Sequence, residues 1–385
     1  MDTNRTVLIA GGGIGGLTLG VALRRAGFSV RIFERAPELR PVGAGITMQA
    51  NAMLAFRAIG LDTEVAAAGH VMKRGSILDD QGRTLGTMLV SEMAQEVGAP
   101  MIAIHRARLQ EVLQKALGPE PLTLGTQVVG FRDDAEGVFA RLSDNTEVRG
   151  DLLVGADGLR STVRAQLLND GEPQYAGYTS WRGVCEVPGV ADPDATSESW
   201  GPGRRFGIVP IDSGRTYWFA TANAPQGAID GADSRAELLA RYSGWHEPIR
   251  ALIEKTAPEA IFRTDIQDRP PVSQWARGRV ALLGDAAHPM TPNMGQGGGQ
   301  AVEDAVVLAR CLATAPDLPA ALARYQAIRV PRANGFVTQS RRFGELTQWE
   351  NGAARWVRDR LFQLVPQSSI RSNMRRLLTF PVMSD

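Results

Sequence analysis

The chain has 385 residues, of which 44% are hydrophobic and 22% charged, and its formal net charge is +1. This length allows one to three domains, and the near-neutral charge excludes capture of nucleic acid or anionic lipid by a bulk field. Two widely separated cysteines, Cys185 and Cys311, exclude a disulfide framework, and the sequence has no run of about 20 apolar residues to span a membrane. We therefore expect a cytoplasmic globular protein.

The N-terminal segment has the pattern of a βαβ unit. Apolar runs and helical spacing predict a strand, a helix and a strand at residues 7–10, 17–26 and 29–33. The first turn is Gly11-x-Gly13-x-x-Gly16, and Glu34 follows the second strand. Glycines at this spacing bring the backbone and a helix N-terminus close to a pyrophosphate, while the carboxylate accepts from a ribose hydroxyl. The unit predicts a bound dinucleotide, and the carboxylate argues against NADP.

A second group of elements lies on either side of an irregular region that follows Gly60. The patterns predict helices at residues 51–59 and 106–117 and strands at 122–131, 137–142 and 147–154. The last strand leads into Gly155-Ala156-Asp157-Gly158, and Ser161 opens a helix behind it. On its own this segment also fits an ordinary type I turn.

Residues 175–267 have a different, β-rich pattern. Their periodicity predicts strands at residues 177–187, 206–210 and 216–221 and helices at 234–240 and 248–254. This block is the best candidate for a separate layer that forms the floor of a substrate pocket. Four aromatic residues in it are candidates for the pocket wall, although some are expected to be plain core: Tyr178, Trp181, Trp218 and Phe219.

The third motif follows an apolar strand at residues 280–283. Gly284-Asp285-Ala286-Ala287-His288-Pro289 precedes a Pro/Gly loop at residues 291–299 and a helix at 298–313. Glycines let backbone N–H groups approach a flat ring, and the helix N-terminus directs positive potential at the flavin region where reduced flavin carries its negative charge. We expect His288 to anchor this loop rather than to act as an acid or base.

The three motifs, in this order and at these separations, resemble those of the class A flavoprotein aromatic monooxygenases, relatives of p-hydroxybenzoate, salicylate and urate hydroxylases. The resemblance covers about residues 5–335. It implies an α/β fold with a Rossmann-like FAD-binding domain of the glutathione reductase type, an inserted β-rich substrate domain and C-terminal helices. The expected boundaries are 1–172 and 273–335 for the FAD-binding domain, 173–272 for the substrate domain and 336–385 for the helical segment.

The resemblance also implies FAD as the resident cofactor and NAD(P)H as a transient co-substrate. The implied activity is insertion of one oxygen atom from O2 into an aromatic or conjugated small molecule through a flavin C4a-hydroperoxide. By the same resemblance, Arg106 lies near the pyrophosphate, Asp285 near the ribityl chain, and Gly43-Ala44-Gly45-Ile46 at the flavin edge. The expected cofactor-binding residues are Gly11, Gly13, Ile14, Gly15, Gly16, Glu34, Arg35, Gly45, Arg106, Asp157, Asp285, Pro292, Gly295, Gln296, Gly297 and Gly298.

The substrate is less closely defined. Arg205 and Tyr217 resemble the Arg/Tyr pair of the urate-hydroxylating branch, but Asn293 stands where that branch has Asp; with Pro292, these are the expected catalytic residues. Hydroxylation of a simple phenolic acid competes with hydroxylation or epoxidation of a larger apolar secondary metabolite such as a quinolone or polyketide. The sequence shows no clear group of residues that would bind the carboxylate of a simple acid, which favours the larger substrate. A non-oxygenating flavin-binding regulatory protein and a flavin reductase or dehydrogenase are alternatives of other classes.

The C-terminal tail combines basic and bulky apolar residues, with Trp349 and Trp356 among them. A helix packed over the substrate block or on a partner subunit is favoured over a membrane-leaning helix. We expect a monomer or homodimer that binds no nucleic acid. The four histidines are scattered and predict no metal site.

Overall fold

A computed structural model describes residues 5–39, 44–231 and 233–380 of the chain. In chain order its strands are β1 (Thr6–Ala10), β2 (Ser29–Phe33), β3 (Gly45–Met48), β4 (His70–Val71), β5 (Arg74–Asp79), β6 (Thr84–Met88), β7 (Ile102–His105), β8 (Leu122–Thr123), β9 (Val128–Asp134), β10 (Gly137–Leu142), β11 (Glu147–Gly150), β12 (Leu152–Gly155), β13 (Gln174–Cys185), β14 (Ala195–Gly201), β15 (Arg204–Pro210), β16 (Thr216–Asn223), β17 (Phe262–Asp268), β18 (Ala276–Arg277) and β19 (Val280–Leu282). Its α-helices are α1 (Ile14–Arg25), α2 (Ala50–Ala58), α3 (Asp62–Ala68), α4 (Val90–Val97), α5 (Arg106–Leu117), α6 (Thr162–Leu168), α7 (Ser234–Arg241), α8 (Ile249–Glu254), α9 (Gly297–Thr314), α10 (Leu318–Thr347), α11 (Gly352–Leu364) and α12 (Gln367–Leu378).

The three glycine motifs meet at one edge of a six-stranded sheet. Its order is β18-β19-β12-β1-β2-β8, and every pair except β18 with β19 is parallel. The central strands are apolar and almost fully buried, as expected when both faces of a parallel sheet are covered. The register aligns Ala10 with Gly155 and Gly155 with Leu282. Because carboxyl ends of parallel strands share one edge, the turns that follow these residues converge there.

The β-rich layer is a seven-stranded sheet in the order β17-β13-β16-β15-β14-β5-β6. One face carries the aromatic core that packs under α7 and α8, and the other face is turned towards the nucleotide-binding sheet. Two of its strands, β5 and β6, come from the region after Gly60 that the sequence predicts to be irregular, and β14 is also unpredicted. The sheet therefore takes strands from both sides of residue 173.

Smaller elements complete the fold. The strands predicted at 122–131, 137–142 and 147–154 contribute to the antiparallel sheet β11-β10-β9, while β8 and β12 from the same ranges join the six-stranded sheet. Strands β3, β7 and β4 form another small sheet. Helix α10 is 30 residues long and continues across position 336, the predicted start of the C-terminal segment. Within the described ranges, none of the helices combines the length and the apolar character needed to cross a bilayer.

Candidate active site

A cleft of about 490 Å3 opens at the edge where the motifs converge. The residues that line it belong to the first two motifs, to the segment after β2 and to α5 and β9. They are Ala10, Gly11, Gly12, Gly13, Phe33, Glu34, Arg35, Ala36, Pro37, Glu38, Leu39, Arg106, Gln110, Gln127, Val128, Ala156, Asp157, Gly158, Arg160 and Thr162. Gln110, Gln127 and Arg160 are polar lining residues that are not among the predicted cofactor-binding residues; Arg160 lies in the continuation of the second motif, and the other two lie outside the glycine motifs.

The glycine turn is tight on one side and open on the other. Gly11 has φ +106°, and a Cβ there would lie 2.3 Å from the carbonyl oxygen of Ala156. A Cβ on Gly13, by contrast, would have no neighbour within 4 Å among the described residues. This open side lies at the N-terminus of α1, where N–H groups without helical partners favour an anion. The turn therefore fits a pyrophosphate.

Charged and polar groups surround this turn. Glu34 accepts hydrogen bonds from the backbone N–H of Gly12 at 2.7 Å and of Ala36 at 2.9 Å, which fixes its carboxylate at the cleft wall. Ile14 is buried, and a Cβ on Gly15 would lie 2.6 Å from the Leu283 side chain. Ile14 and Gly15 therefore lie outside the set of residues that line the cleft.

Asp157 has a structural task at the start of α6. Its Oδ2 accepts from the N–H groups of Thr162 and Val163, at 2.8 and 3.3 Å. Its Oδ1 is buried and has no hydrogen-bond partner among the described residues. Burial raises the pKa of this carboxyl, and hydrogen bonds from Ser161 and the helix N-terminus oppose the rise. The residue lies in the cleft wall with one oxygen unsatisfied.

Asp285 lies in the third motif and is exposed. The surrounding protein removes enough water to raise the pKa of its carboxyl, while the charges of His288 and Arg106 oppose the rise. Arg106 also lines the cleft. The pair therefore offers one acceptor and one cation to a polar ligand.

The Pro/Gly loop packs on strand β3. Gln49 donates to the carbonyl of Met294 at 2.9 Å, and Gln296 donates back to Gln49 at 2.7 Å. Gly295 has φ +60°, and a Cβ on Gly298 would lie 2.8 Å from the Ile46 side chain. Pro292 begins a single 3-10 turn that leads to this loop. The absence of a side chain at Gly298 therefore allows α9 to approach β3 closely.

A buried polar network holds this loop from behind. Arg329 of α10 donates to Asp304 at 2.7 Å, to Gln300 at 2.7 Å and to Glu303. His288 lies 2.5 Å from the Oδ2 of Asp304, which also accepts from the N–H of Gly284 at 2.9 Å. All of these side chains are fully buried. The position of His288 is that of a loop anchor.

The charges of this network compensate one another. Burial alone would raise the pKa of Asp304, but the charges of His288 and Arg329 and their hydrogen bonds lower it to about 2. Burial opposes ionisation of Glu303 in the same way, yet Arg329 and Arg332 lower its pKa. Both acids are therefore ionised at neutral pH. Their buried negative charges are stabilised by the paired arginines.

The face of the seven-stranded sheet opposite its aromatic core contacts β3 and the Pro/Gly loop, and we call the region where they meet the chamber. The register of β13 with β16 places Arg182 opposite Phe219 and Val184 opposite Tyr217. A Cβ on Gly45 would lie 2.6 Å from the Tyr217 side chain, so β3 closes this end. Gly43 lies outside the described residues. Gly45 thus permits the two layers to meet.

Asn293 closes the other end of the chamber. Its Oδ1 accepts from Tyr178 at 2.9 Å and from Arg205 at 2.5 Å, and its amide donates to Thr291 and Ser340. The amide group therefore uses both its acceptor and its donors within the protein. Arg205 is brought to Asn293, whereas Tyr217 lies at the opposite end of the chamber.

Arg205 is fully buried, and each of its three guanidinium nitrogens donates a hydrogen bond. Its guanidinium also donates to Glu198 at 3.1 Å and to Gln348 at 3.0 Å. Gln348, at the end of α10, accepts from Thr221 as well. The arrangement ties the sheet to α10 and leaves this cation neutralised by Glu198.

Arg182 is a charged residue of the chamber that the sequence did not predict. It is half-buried, and no ion pair or hydrogen bond joins its guanidinium to another described residue. Burial raises the pKa of Tyr217, and the positive charge of Arg182 opposes this rise. The Phe219 ring lies over Gly207, where a Cβ would be 2.0 Å away, and thus leans away from Arg182. Strict alternation along β13 is the signal that could have placed Arg182 in the chamber.

The predicted aromatic set divides between the two faces of the sheet. Trp181 and Trp218 are fully buried in the core under α7 and α8. Tyr178 and Phe219 belong to the opposite face, where Tyr178 contacts Asn293. The chamber wall thus contains Tyr178, Tyr217 and Phe219 but neither tryptophan.

Comparisons with known proteins agree with this architecture. The family model described as FAD binding domain matches residues 4–340. Aurachin C monooxygenase/isomerase of Stigmatella aurantiaca is 63% identical over 380 residues, 99% of this chain and of that protein. FAD-dependent urate hydroxylase of Klebsiella pneumoniae is 33% identical over 344 residues, 88% of this chain and 90% of that protein. The crystal structure of Klebsiella pneumoniae HpxO complexed with FAD and uric acid has a TM-score of 0.92 and 29% identity, with 98% of each chain covered.

Proposed function

Because this chain belongs to the class A FAD-dependent aromatic monooxygenases, we propose that it inserts one oxygen atom from O2 into a quinolone secondary metabolite. The substrate class is supported by the high identity with the aurachin C enzyme across both whole chains. The chamber agrees with it, because aromatic side chains form its wall and Arg182 carries its one cation without an ionic partner among the described residues. Both cysteines are free and buried, which suits the reducing cytoplasm as the proposed location.

The residues present fit FAD in an extended pose. The Gly11–Gly13–Gly16 turn would hold the pyrophosphate, and Glu34 would accept from the ribose. Asp285 would bind the ribityl hydroxyls with Arg106 close by. The ring would lie on the loop that runs from Pro292 through Gly295, Gln296, Gly297 and Gly298, beside Gly45. Bound FAD supplies the electron transfer from NAD(P)H and the activation of O2.

The side chains of this protein position the substrate and control its charge. Phe219 and Tyr178 offer flat contacts to an aromatic ring, and Tyr217, kept neutral by burial, can donate a hydrogen bond. A quinolone oxygen carries partial negative charge, because the ring nitrogen donates electron density to it. Arg182 would donate to that oxygen and thereby fix which edge of the ring faces the flavin.

We expect Arg182→Gln to raise the KM for a quinolone substrate about tenfold to a hundredfold, because a charge-assisted hydrogen bond of about 1.5–3 kcal/mol is lost. The kcat should change much less, since Arg182 binds the substrate before and during the reaction alike. Steady-state kinetics of the FAD-loaded enzyme gives both constants. Arg182→Lys should show an intermediate KM.

Arg250→Gln is the matched control, because Arg250 is exposed on α8, on the far side of the same sheet. Equal FAD content and equal thermal unfolding would show that all variants are folded. An unchanged KM in folded Arg182→Gln would contradict the assignment of Arg182 to the substrate oxygen.

We expect Asp285→Ala to weaken FAD binding about tenfold to a hundredfold, because the ribityl hydroxyls lose an ionised acceptor. Fluorescence titration of the apoprotein with FAD measures the affinity. Glu64→Ala removes an exposed carboxylate on α3 and should leave that affinity unchanged. Full FAD affinity in Asp285→Ala would place the ribityl chain elsewhere.

Rapid reduction kinetics tests the function as a whole. A quinolone should accelerate reduction of the bound flavin by NAD(P)H, whereas an unrelated apolar compound should not. Tight quinolone binding without any acceleration would instead indicate a non-oxygenating flavin-binding protein, and would contradict the proposal.

A further inference from the structure

Helix α11 has an apolar outer face that no other described element covers. Trp356, Leu361 and Leu364 are 63%, 61% and 75% exposed, and Val357 is 46% exposed. At about 100° per residue, these four side chains and Ala353 fall within an arc of roughly 140°. We call the six residues of this arc the outer face of α11: Ala353, Trp356, Val357, Arg360, Leu361 and Leu364.

The inner face of the same helix is firmly packed, so the exposure is not that of a frayed end. The Phe362 ring lies 5.1 Å from the ring of buried Trp200, in edge-to-face geometry. Arg358 is buried and lies 5.1 Å over the same Trp200 ring. The helix therefore presents its outer face in a defined orientation. Ordinary soluble surfaces do not expose so many large apolar side chains on one short helix.

The outer face also carries positive charge. Arg360 lies 5.8 Å over the Trp356 ring and has no carboxylate partner among the described residues. The neighbouring acid, Asp359, is paired inward with Arg358. Of the six arginines in residues 349–380, four are paired with carboxylates: Arg355, Arg358, Arg371 and Arg375. The outer face of α11 thus combines four large apolar side chains with one arginine, Arg360, whose charge no described carboxylate compensates.

We propose that the outer face of α11 docks on an anionic lipid surface. An apolar face beside arginines suits the bilayer interface, because the apolar side chains enter the acyl boundary while guanidinium groups meet anionic head groups. A second copy of this chain fits less well, because a symmetric interface would bring the unpaired Arg360 close to the Arg360 of the other copy. This inference goes beyond the proposed function and does not depend on it.

The position of α11 gives such docking a consequence for the chamber. The segment before α11 includes Gln348, which is bonded to Arg205. Phe362 of α11 and Phe343 of α10 both pack on Trp200. Trp200 lies directly opposite Arg205 on the neighbouring strand, so both side chains are on the same face of the sheet. Docking would therefore bring one end of the chamber wall close to the lipid surface, where apolar small molecules concentrate.

Vesicle flotation of the full-length, FAD-loaded protein tests this inference. The protein should bind vesicles of mixed phosphatidylglycerol and phosphatidylcholine, and added salt should weaken the binding. The W356S/L361S/L364S variant should lose roughly a hundredfold in partitioning, since three apolar contacts are removed. Arg360→Gln should lose several-fold, on the anionic vesicles only.

Ile229→Ser is the matched control, because Ile229 is 90% exposed but lies outside α11. It should bind vesicles as the unaltered protein does, and FAD content and thermal unfolding should be the same for every variant. Equal binding to pure phosphatidylcholine, or equal binding by the triple variant, would overturn the inference. So would a dimer that the triple variant abolishes, in a protein that does not bind vesicles.

Discussion

Arg329→Met is expected to lower the free energy of unfolding by about 3–5 kcal/mol, because it leaves Glu303 and Asp304 ionised and buried without their shared cation. Methionine retains most of the volume, so the loss reports on charge rather than on a cavity. Denaturant unfolding of the FAD-free protein measures it. Arg342→Met, at an exposed position of the same helix, should change stability by no more than about 0.5 kcal/mol.

The loss should depend on pH in a defined direction. In the unaltered protein Asp304 has its pKa lowered from 3.8 to about 2, so its stabilising contribution is present above about pH 4 and disappears as the pH falls towards 2. In Arg329→Met the buried acids bind protons at higher pH, and the stability difference from the unaltered protein should shrink on acidification. A difference that is small at neutral pH, or that grows on acidification, would contradict the account of this network.

Gly11→Ala is expected to abolish FAD retention and to destabilise the apoprotein by at least about 2 kcal/mol. Its Cβ would lie 2.3 Å from the Ala156 carbonyl, and φ +106° is strained for any residue with a side chain. Gly13→Ala is the matched comparison within the same motif. Its Cβ would meet no atom of the described residues within 4 Å, so the apoprotein should lose no more than about 1 kcal/mol.

The two glycine variants separate the fold from the cofactor. If the open space beside Gly13 holds the pyrophosphate, Gly13→Ala should still weaken FAD binding about tenfold or more, because the added methyl occupies that space. Thermal unfolding of the apoprotein and titration with FAD give the two quantities. Full FAD affinity in Gly13→Ala would contradict the placement of the pyrophosphate there.

The nucleotide-binding part of the fold could be predicted closely from the sequence. Strand β2 and helix α5 have the predicted bounds, because short apolar runs and regular helical spacing end at clear glycine or proline signals. The α/β class, the family and FAD are confirmed by the structure and by the relatives. Local periodicity was sufficient for the bounds of these elements, whereas the family and FAD followed from the resemblance of the three motifs.

The seven-stranded sheet shows where local periodicity fails. Strand β14 has the sequence ATSESWG, whose polar residues give little strand signal, and it pairs in parallel with β5 from a distant part of the chain. Pairing between such strands depends on tertiary contacts that no local pattern records. The prediction of an irregular region after Gly60 was therefore wrong at the residues that form β5 and β6.

The motifs of the site could be predicted from the sequence, but the contacts between its residues could not. Arg205 and Asn293 were singled out, but the contact between them, and that of Arg205 with Gln348, 143 residues away, could not be read from spacing. Arg182 was missed for a different reason, since a single arginine within a strand has no motif around it. The catalytic and cofactor-binding roles given to individual residues stay predictions.

Oxygen isotope labelling tests the central claim most directly. The FAD-loaded enzyme would be given a quinolone and NAD(P)H under 18O2, and the product would be analysed by mass spectrometry. We predict a product that carries one 18O atom, formed in step with NAD(P)H oxidation and unlabelled when the isotope is supplied as water instead. NAD(P)H oxidation with an unchanged quinolone, or a product whose added oxygen comes from water, would contradict the account.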